Sequence, residues 1–185
     1  MDRQELNRYC WLITSTVERW LVNKDELTKA LHATAVETIR IAPDVNLDAF
    51  LHIFKLHHSH LVERYGKKVI REEAKRFLSS DFSELSTLFA FFYEEFNKCY
   101  FAGDLPPFRV SIRHRSYRAS SSPNTLEAAH LRRGRREIAL VYNGWPEAML
   151  ALFIRVMAFV RTGFRHGAPL DAELCRLHTL GAPRY

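Results

Sequence analysis

An α+β fold, opened by an all-helical segment, is the prediction for this chain of 185 residues. Three observations carry it. Apolar residues recur at spacings of three and four through residues 1–100, the period of amphipathic helices. The period drops to two after Gly103, where Phe108, Val110 and Ile112 alternate with Arg109, Ser111 and Arg113, as in a half-buried strand. A second short strand, Ile138 to Val141, precedes an apolar run introduced by Pro146, a residue suited to the first turn of a helix.

Leu6, Tyr9, Cys10, Ile13, Val17, Trp20 and Leu21 form one stripe on a first helix. Asn23 with Glu26 has the spacing of a capping box and opens a second helix carrying Leu27, Leu31, Val36 and Ile39, which Pro43 ends. A third helix is predicted from about Asp44 to Tyr65, with Leu47, Phe50, Leu51, Phe54, Leu61 and Val62 inward and Gly66 as its stop. A charged helix from Lys67 to Leu78 comes next. Asp81 with Glu84 then caps a long aromatic helix holding Phe82, Leu85, Phe89, Phe92 and Phe96. Ser116 to Asn124 read as a loop, Asn143-Gly144 closes the second strand, and a last short helix spans about Asp171 to Leu180. The order helix, strand, strand, helix makes residues 81–185 an α+β domain, and residues 1–80 a helical bundle in front of it.

With 47% apolar and 26% charged residues the chain is too hydrophobic for disorder. Its net charge of +6 hides an asymmetry. Residues 1–100 hold 14 basic and 15 acidic side chains, whereas residues 101–185 hold 13 basic ones, all Arg, and 6 acidic. Eight of those arginines fall between Arg109 and Arg136, where Glu127 is the only acid. Cys10, Cys99 and Cys175 form no CxxC and follow no export signal, so free thiols in a reducing cytoplasm are expected. The longest apolar run, Ala148 to Val160, is interrupted by Arg155 and falls short of the ~20 residues that span a bilayer. A soluble, cytoplasmic protein without a membrane partner is expected. No GxSxG, Walker or Rossmann pattern is present.

The segment Phe96-Asn97-Lys98-Cys99-Tyr100-Phe101-Ala102-Gly103-Asp104-Leu105-Pro106 resembles the opening of the SprT-like zincin metalloproteases, where a helix ends in an FN..YF.G.LP pattern. In that family a strand pair, an I.L strand and the zinc helix with its HExxH follow. Here Arg136 to Val141 lies where the last strand belongs, and the helix from Pro146 takes the place of the zinc helix. His166-Gly167-Ala168-Pro169-Leu170 is similar to the family's HGxxF element, whose histidine is the third zinc ligand, with Leu170 replacing the aromatic. The resemblance covers about residues 85–183 and implies a zincin-like fold for residues 81–185.

The zinc motif itself is degenerate. Aligned on His166, its window reads Arg155-Val156-Met157-Ala158-Phe159. Two imidazoles at i and i+4 project from one helical face and grip Zn²⁺ while the intervening Glu activates water. Arg155 is a permanent cation without a lone pair, Val156 cannot take a proton, and Phe159 offers no ligand. The resemblance therefore implies a catalytically inactive pseudo-metalloprotease without zinc or another cofactor, serving as a binding or regulatory module. Val156 and Phe159 would fill the vacated space, and Arg155 would meet Asp171 or Glu173, or reach solvent through the old cleft. Two other readings stand beside it: a metal-dependent hydrolase using His166, His130, His114 and Glu173, and a DNA-binding regulator of unrelated fold.

Two further groups stand out. His57, His58 and His60, with His52 before them, lie on the third predicted helix without a ligand pattern and read as a solvated or partner-facing strip. Arg109, Arg113, Arg115 and Arg118 come from the first strand and its loop, and Arg132, Arg133, Arg135 and Arg136 precede the second. Were the two strands a hairpin, these sets would form one positive surface beside Ser120 to Ser122 and Asn124, suited to phosphate. The resemblance points the same way, because some SprT-like proteases act on DNA-bound proteins. Nucleic acid or an acidic protein is the expected partner.

Overall fold

The computed structural model describes residues 1–41, 46–114, 129–132, 134 and 136–184, and for residues 41 and 129–132 the backbone only. Eight helices and three strands form among these residues: α1 (Arg3–Val22), α2 (Glu26–Ile41), α3 (Leu47–His57), α4 (Ser59–Tyr65), α5 (Lys67–Ser79), α6 (Ser83–Phe101), β1 (Arg109–Arg113), β2 (Ala129–Arg132), β3 (Glu137–Val141), α7 (Pro146–Arg161) and α8 (Ala168–Thr179). The α+β class is as expected. Among the described residues no helix is long and apolar enough to cross a membrane.

The sheet has the order β1-β3-β2. β1 and β3 run parallel, with Val110 opposite Ile138 and Ile112 opposite Leu140. This corrects the hairpin expectation. The antiparallel partner of β3 is β2, an element the periodicity did not reveal. Central β3 is buried along its whole length, as a strand flanked on both edges should be. The predicted Ser116–Asn124 loop lies outside the described residues, as does Pro43.

The FN..YF.G.LP segment works as a helix stop. Ala102 turns left-handed (φ 56°) and Gly103 follows at φ 77°, where the missing Cβ removes the steric penalty. The Gly103 N–H donates to the Asn97 carbonyl at 2.9 Å. Buried Asn97 then holds Leu105 at both backbone groups, donating Nδ2–H to its carbonyl (3.2 Å) and accepting its N–H at Oδ1 (3.1 Å). The Tyr93 hydroxyl donates to the Pro106 carbonyl at 2.6 Å. The chain is thereby folded back toward β1.

Neither of the two expected capping boxes forms. Asn23 ends α1, and Asp25 caps α2 by accepting the Thr28 N–H at 2.7 Å. Asp81 leaves α6 to begin at Phe82 without a side-chain cap; its carboxylate is drawn instead to Arg113 (3.3 Å) and Arg109 (3.8 Å). The box that does form is Asp2 with Glu5, at the start of α1. The predicted Asp44–Tyr65 helix breaks at His58, whose φ of −134° separates α3 from α4.

Buried apolar side chains fall into two clusters. One joins Ile13 and Val17 of α1 to α6, β1, β3, α7 and α8. The other gathers Leu31, Phe50, Phe54, Leu61, Ile70, Phe77 and Leu78 from α2 to α5. Trp20 packs against both.

Asn97→Ala removes two hydrogen bonds to buried backbone and should destabilise the protein by about 1–3 kcal/mol, read as a lower midpoint in urea denaturation.

Candidate functional site

Helix α7 is apolar almost all round and lies inside the first cluster. From Met149 to Val160 every residue is buried except Arg155 and Phe159, which keep partial exposure. These two are four apart and so share one face. Val156, beneath that face, is 2% exposed. Exposed His166, from the connection after α7, lays its ring against Phe159 with centroids 4.3 Å apart, and Phe164 meets the same phenyl edge-on at 5.8 Å. One helical face and one downstream imidazole thus converge, but the convergent side chains are a guanidinium, a phenyl and a single imidazole. This donor set does not fit zinc.

Arg155 makes no ion pair with Asp171 or Glu173, which corrects that part of the expectation. Glu173 is held by Arg176 on its own helix, through contacts of 2.6 and 2.9 Å, and Arg176 also donates to the Tyr100 carbonyl at 2.8 Å. An i, i+3 partner on α8 outcompetes one on α7 because little side-chain freedom is lost in forming it. The Nε of Arg155 is buried without a hydrogen-bond partner among the described residues, and the partial exposure of the side chain is its route to water. Among the described residues no three His, Cys, Asp or Glu side chains are placed to hold a metal ion. Of the four non-standard ligands, Glu173 is committed to Arg176 and His114 is buried elsewhere. The His130 side chain lies outside the described residues.

The arginines divide. Arg109 and Arg113 share Asp81, and Arg113 also approaches buried Glu137 at 3.8 Å, where Ser111 donates its hydroxyl to the same oxygen. These two are therefore partly neutralised by acids of the fold. Arg136 is exposed, in the left-handed region at φ 46°. Arg132 ends β2 with its side chain undescribed, and Arg115, Arg118, Arg133 and Arg135, with Ser120 to Ser122 and Asn124, lie outside the described residues. The histidine strip is not bare either. His57 meets Glu37 at 3.3 Å and His60 meets Glu26 at 3.1 Å, both carboxylates coming from α2.

A second pair of imidazoles went unremarked as a unit in the sequence. His114 is 3% exposed and stacks between Phe77 (4.1 Å, 26°) and Phe82 (4.7 Å, 27°). His32 is 7% exposed, stacks on Tyr142 (5.6 Å, 22°) and stands 5.9 Å from His114. Neither Nδ1 has a partner among the described residues. Burial pushes the His32 imidazole down to about 4. Burial, with the charges of His32 and Lys24 acting in the same sense, pushes His114 down to about 3. The available signal was periodicity: His114 continues the Val110–Ile112 alternation, and His32 lies beside Leu31 and Ala35 on the inner side of α2.

No protein-family model, curated protein or solved structure matches the chain.

The buried pair sets a pH dependence of stability. Between the ordinary imidazole value of 6.5 and the values near 4 and 3 in the fold, the unfolded chain binds more protons, so stability falls as pH falls. Each histidine contributes about 1.4 kcal/mol per pH unit across that window. Urea denaturation at about pH 7 and about pH 5 should differ by a few kcal/mol, and His114→Phe should remove about half of that difference.

Proposed function

We propose that residues 81–185 form an SprT-like domain without catalytic activity, which binds a polyanionic partner, nucleic acid in the first place, through its arginine-rich side. The supporting observation is the face of α7. Arg155 and Phe159 are the two positions of that helix left partly open between Met149 and Val160, and they are the positions at which the family carries its histidines. His166 packs on the second of them, where a third ligand belongs. The element order also supports the reading: a helix ending in the FN..YF.G.LP stop, two strands, the Ile138-Ala139-Leu140 strand, then the buried helix. With an arginine, a valine and a phenylalanine in the motif, there is neither a group to hold zinc nor one to activate water. What remains chemically is a surface.

That surface has an internal gradient. Asp81 and Glu137 offset the charges of Arg109 and Arg113, so these two hold β1 to the start of α6 rather than waiting for a ligand. Phosphate contacts fall to the arginines flanking the β2–β3 connection, Arg132, Arg133, Arg135 and Arg136, with Arg115 and Arg118 from the preceding segment. Guanidinium groups offer a planar fork of donors that matches phosphate oxygens.

The test is the salt dependence of binding to a short DNA duplex, followed by fluorescence anisotropy. Each phosphate neutralised contributes about 0.9 to the slope of log affinity against log salt. Replacing Arg132, Arg133, Arg135 and Arg136 by Ala should lower that slope by about 3.6, while Arg109→Ala should leave it nearly unchanged. A flat salt dependence for the unsubstituted protein, or full binding by the fourfold variant, would refute the nucleic-acid reading.

A further inference from the structure

We propose that the cavity between α1, α2 and the turn after β3 is a binding site for a small organic carboxylate with an apolar, preferably aromatic, body. The cavity measures about 540 Å³, within the ~300–1,000 Å³ of small-molecule sites. Val17 and Leu21 from the end of α1, Val36 from α2 and the ring of Tyr142 give it apolar walls. His32, Val36 and Arg40 recur every four residues and so present one face of α2 to it. Its end is closed by Gly144, whose φ of 73° brings the turn so near α2 that a Cβ would stand 2.5 Å from Val36 Cγ1.

The chemistry of the ligand follows from which polar groups remain uncommitted. Glu37 is the one acid on the wall, and its carboxylate is engaged by His57 at 3.3 Å. Among the described residues, exposed Arg40 donates to the Gly144 carbonyl alone, at 3.3 Å, and has no acidic partner. Its charge is felt by the Tyr142 phenol, against the burial that pushes that phenol up and keeps it protonated. His32 is more than nine-tenths buried, neutral, and has an unpartnered ring nitrogen. The uncommitted groups are thus a guanidinium, a phenol O–H and a neutral imidazole against an aromatic and aliphatic wall. Donors outnumber acceptors, which selects an anion. The single cation matches a monocarboxylate better than a phosphate dianion, and the same cation disfavours an amine. The apolar walls select the body of the ligand by desolvation.

This site is independent of the arginine-rich side and of the α7 face. It is tested with phenylacetate as the probe, and with phenethylamine and benzyl alcohol as cationic and neutral controls of similar shape. Titration calorimetry gives the affinity, and the ring resonances of His32 and of Trp20, 5.4 Å away, report the place. Phenylacetate should bind saturably and move both sets of resonances, more tightly than either control. Arg40→Ala should weaken binding by about tenfold or more, and Arg40→Lys should restore part of it. Ala33→Trp, at an exposed position on the cavity wall, should block binding without lowering the melting temperature. Absence of saturable phenylacetate binding overturns the proposal. So does binding of phenethylamine as tight as that of phenylacetate, or phenylacetate binding that survives Ala33→Trp unchanged.

Discussion

Because α7 buries nearly every side chain between Met149 and Val160, only Arg155 and Phe159 of that stretch stay partly open. The helix lies within the cluster that α1, α6, the sheet and α8 share, so its orientation is set by apolar contact around most of its circumference. Only one narrow face remains for chemistry. Arg155 and Phe159 occupy that face, Val156 is sealed beneath it, and His166 closes over Phe159. Apolar groups at such a place avoid the desolvation cost that buried, metal-free donors would carry. Arg155 is the exception, and it keeps its charge hydrated through partial exposure rather than through a carboxylate.

The two apolar clusters are joined by an aromatic contact region rather than by a linker alone. Trp20 packs on Phe82 at 4.5 Å and on His114 at 5.2 Å, while Phe77 of the second cluster stacks on the same imidazole. Asp81 lies beside this region and ties the start of α6 to β1 through Arg113, with the Phe82 N–H donating to the Ile112 carbonyl at 2.7 Å. An imidazole is an uncommon choice for such a centre, since its Nδ1 forgoes a hydrogen-bond partner among the described residues. The consequence is a junction that tolerates neutral conditions and weakens as acid charges it. The cavity walled by His32 and Tyr142 adjoins the same junction, so a ligand there would bear on both halves of the chain.

The long helices were legible because period and length agree: α1, α6 and α7 each carry an apolar pattern over several turns. The motif around Asn97 was legible as a pattern, and the structure supplies its local reason, a left-handed stop pinned by one amide side chain. Strand β2 escaped because Ala129 to Arg132 is four residues long with an arginine at its end. Parallel pairing of β1 with β3 could not be read from periodicity, which specifies faces but not neighbours. The capping boxes at Asn23 and Asp81 failed for a different reason. Asn23 closes α1 through its backbone N–H, and the Asp81 carboxylate pairs with Arg113, so neither side chain is left to cap the next helix. The fate of Arg155 was open for the same reason, because Arg176 reaches Glu173 from one turn away.

The claim that α7 carries the remnant of a metal site is tested most directly by restoring it. A variant combining Arg155→His, Val156→Glu and Phe159→His should acquire about one tightly held zinc per chain with His166 as the third ligand, and should lose it when His166→Ala is added. The unsubstituted protein, treated identically, should hold none. Stoichiometric zinc in the unsubstituted protein, or a correctly folded triple variant that never binds zinc, would contradict the account.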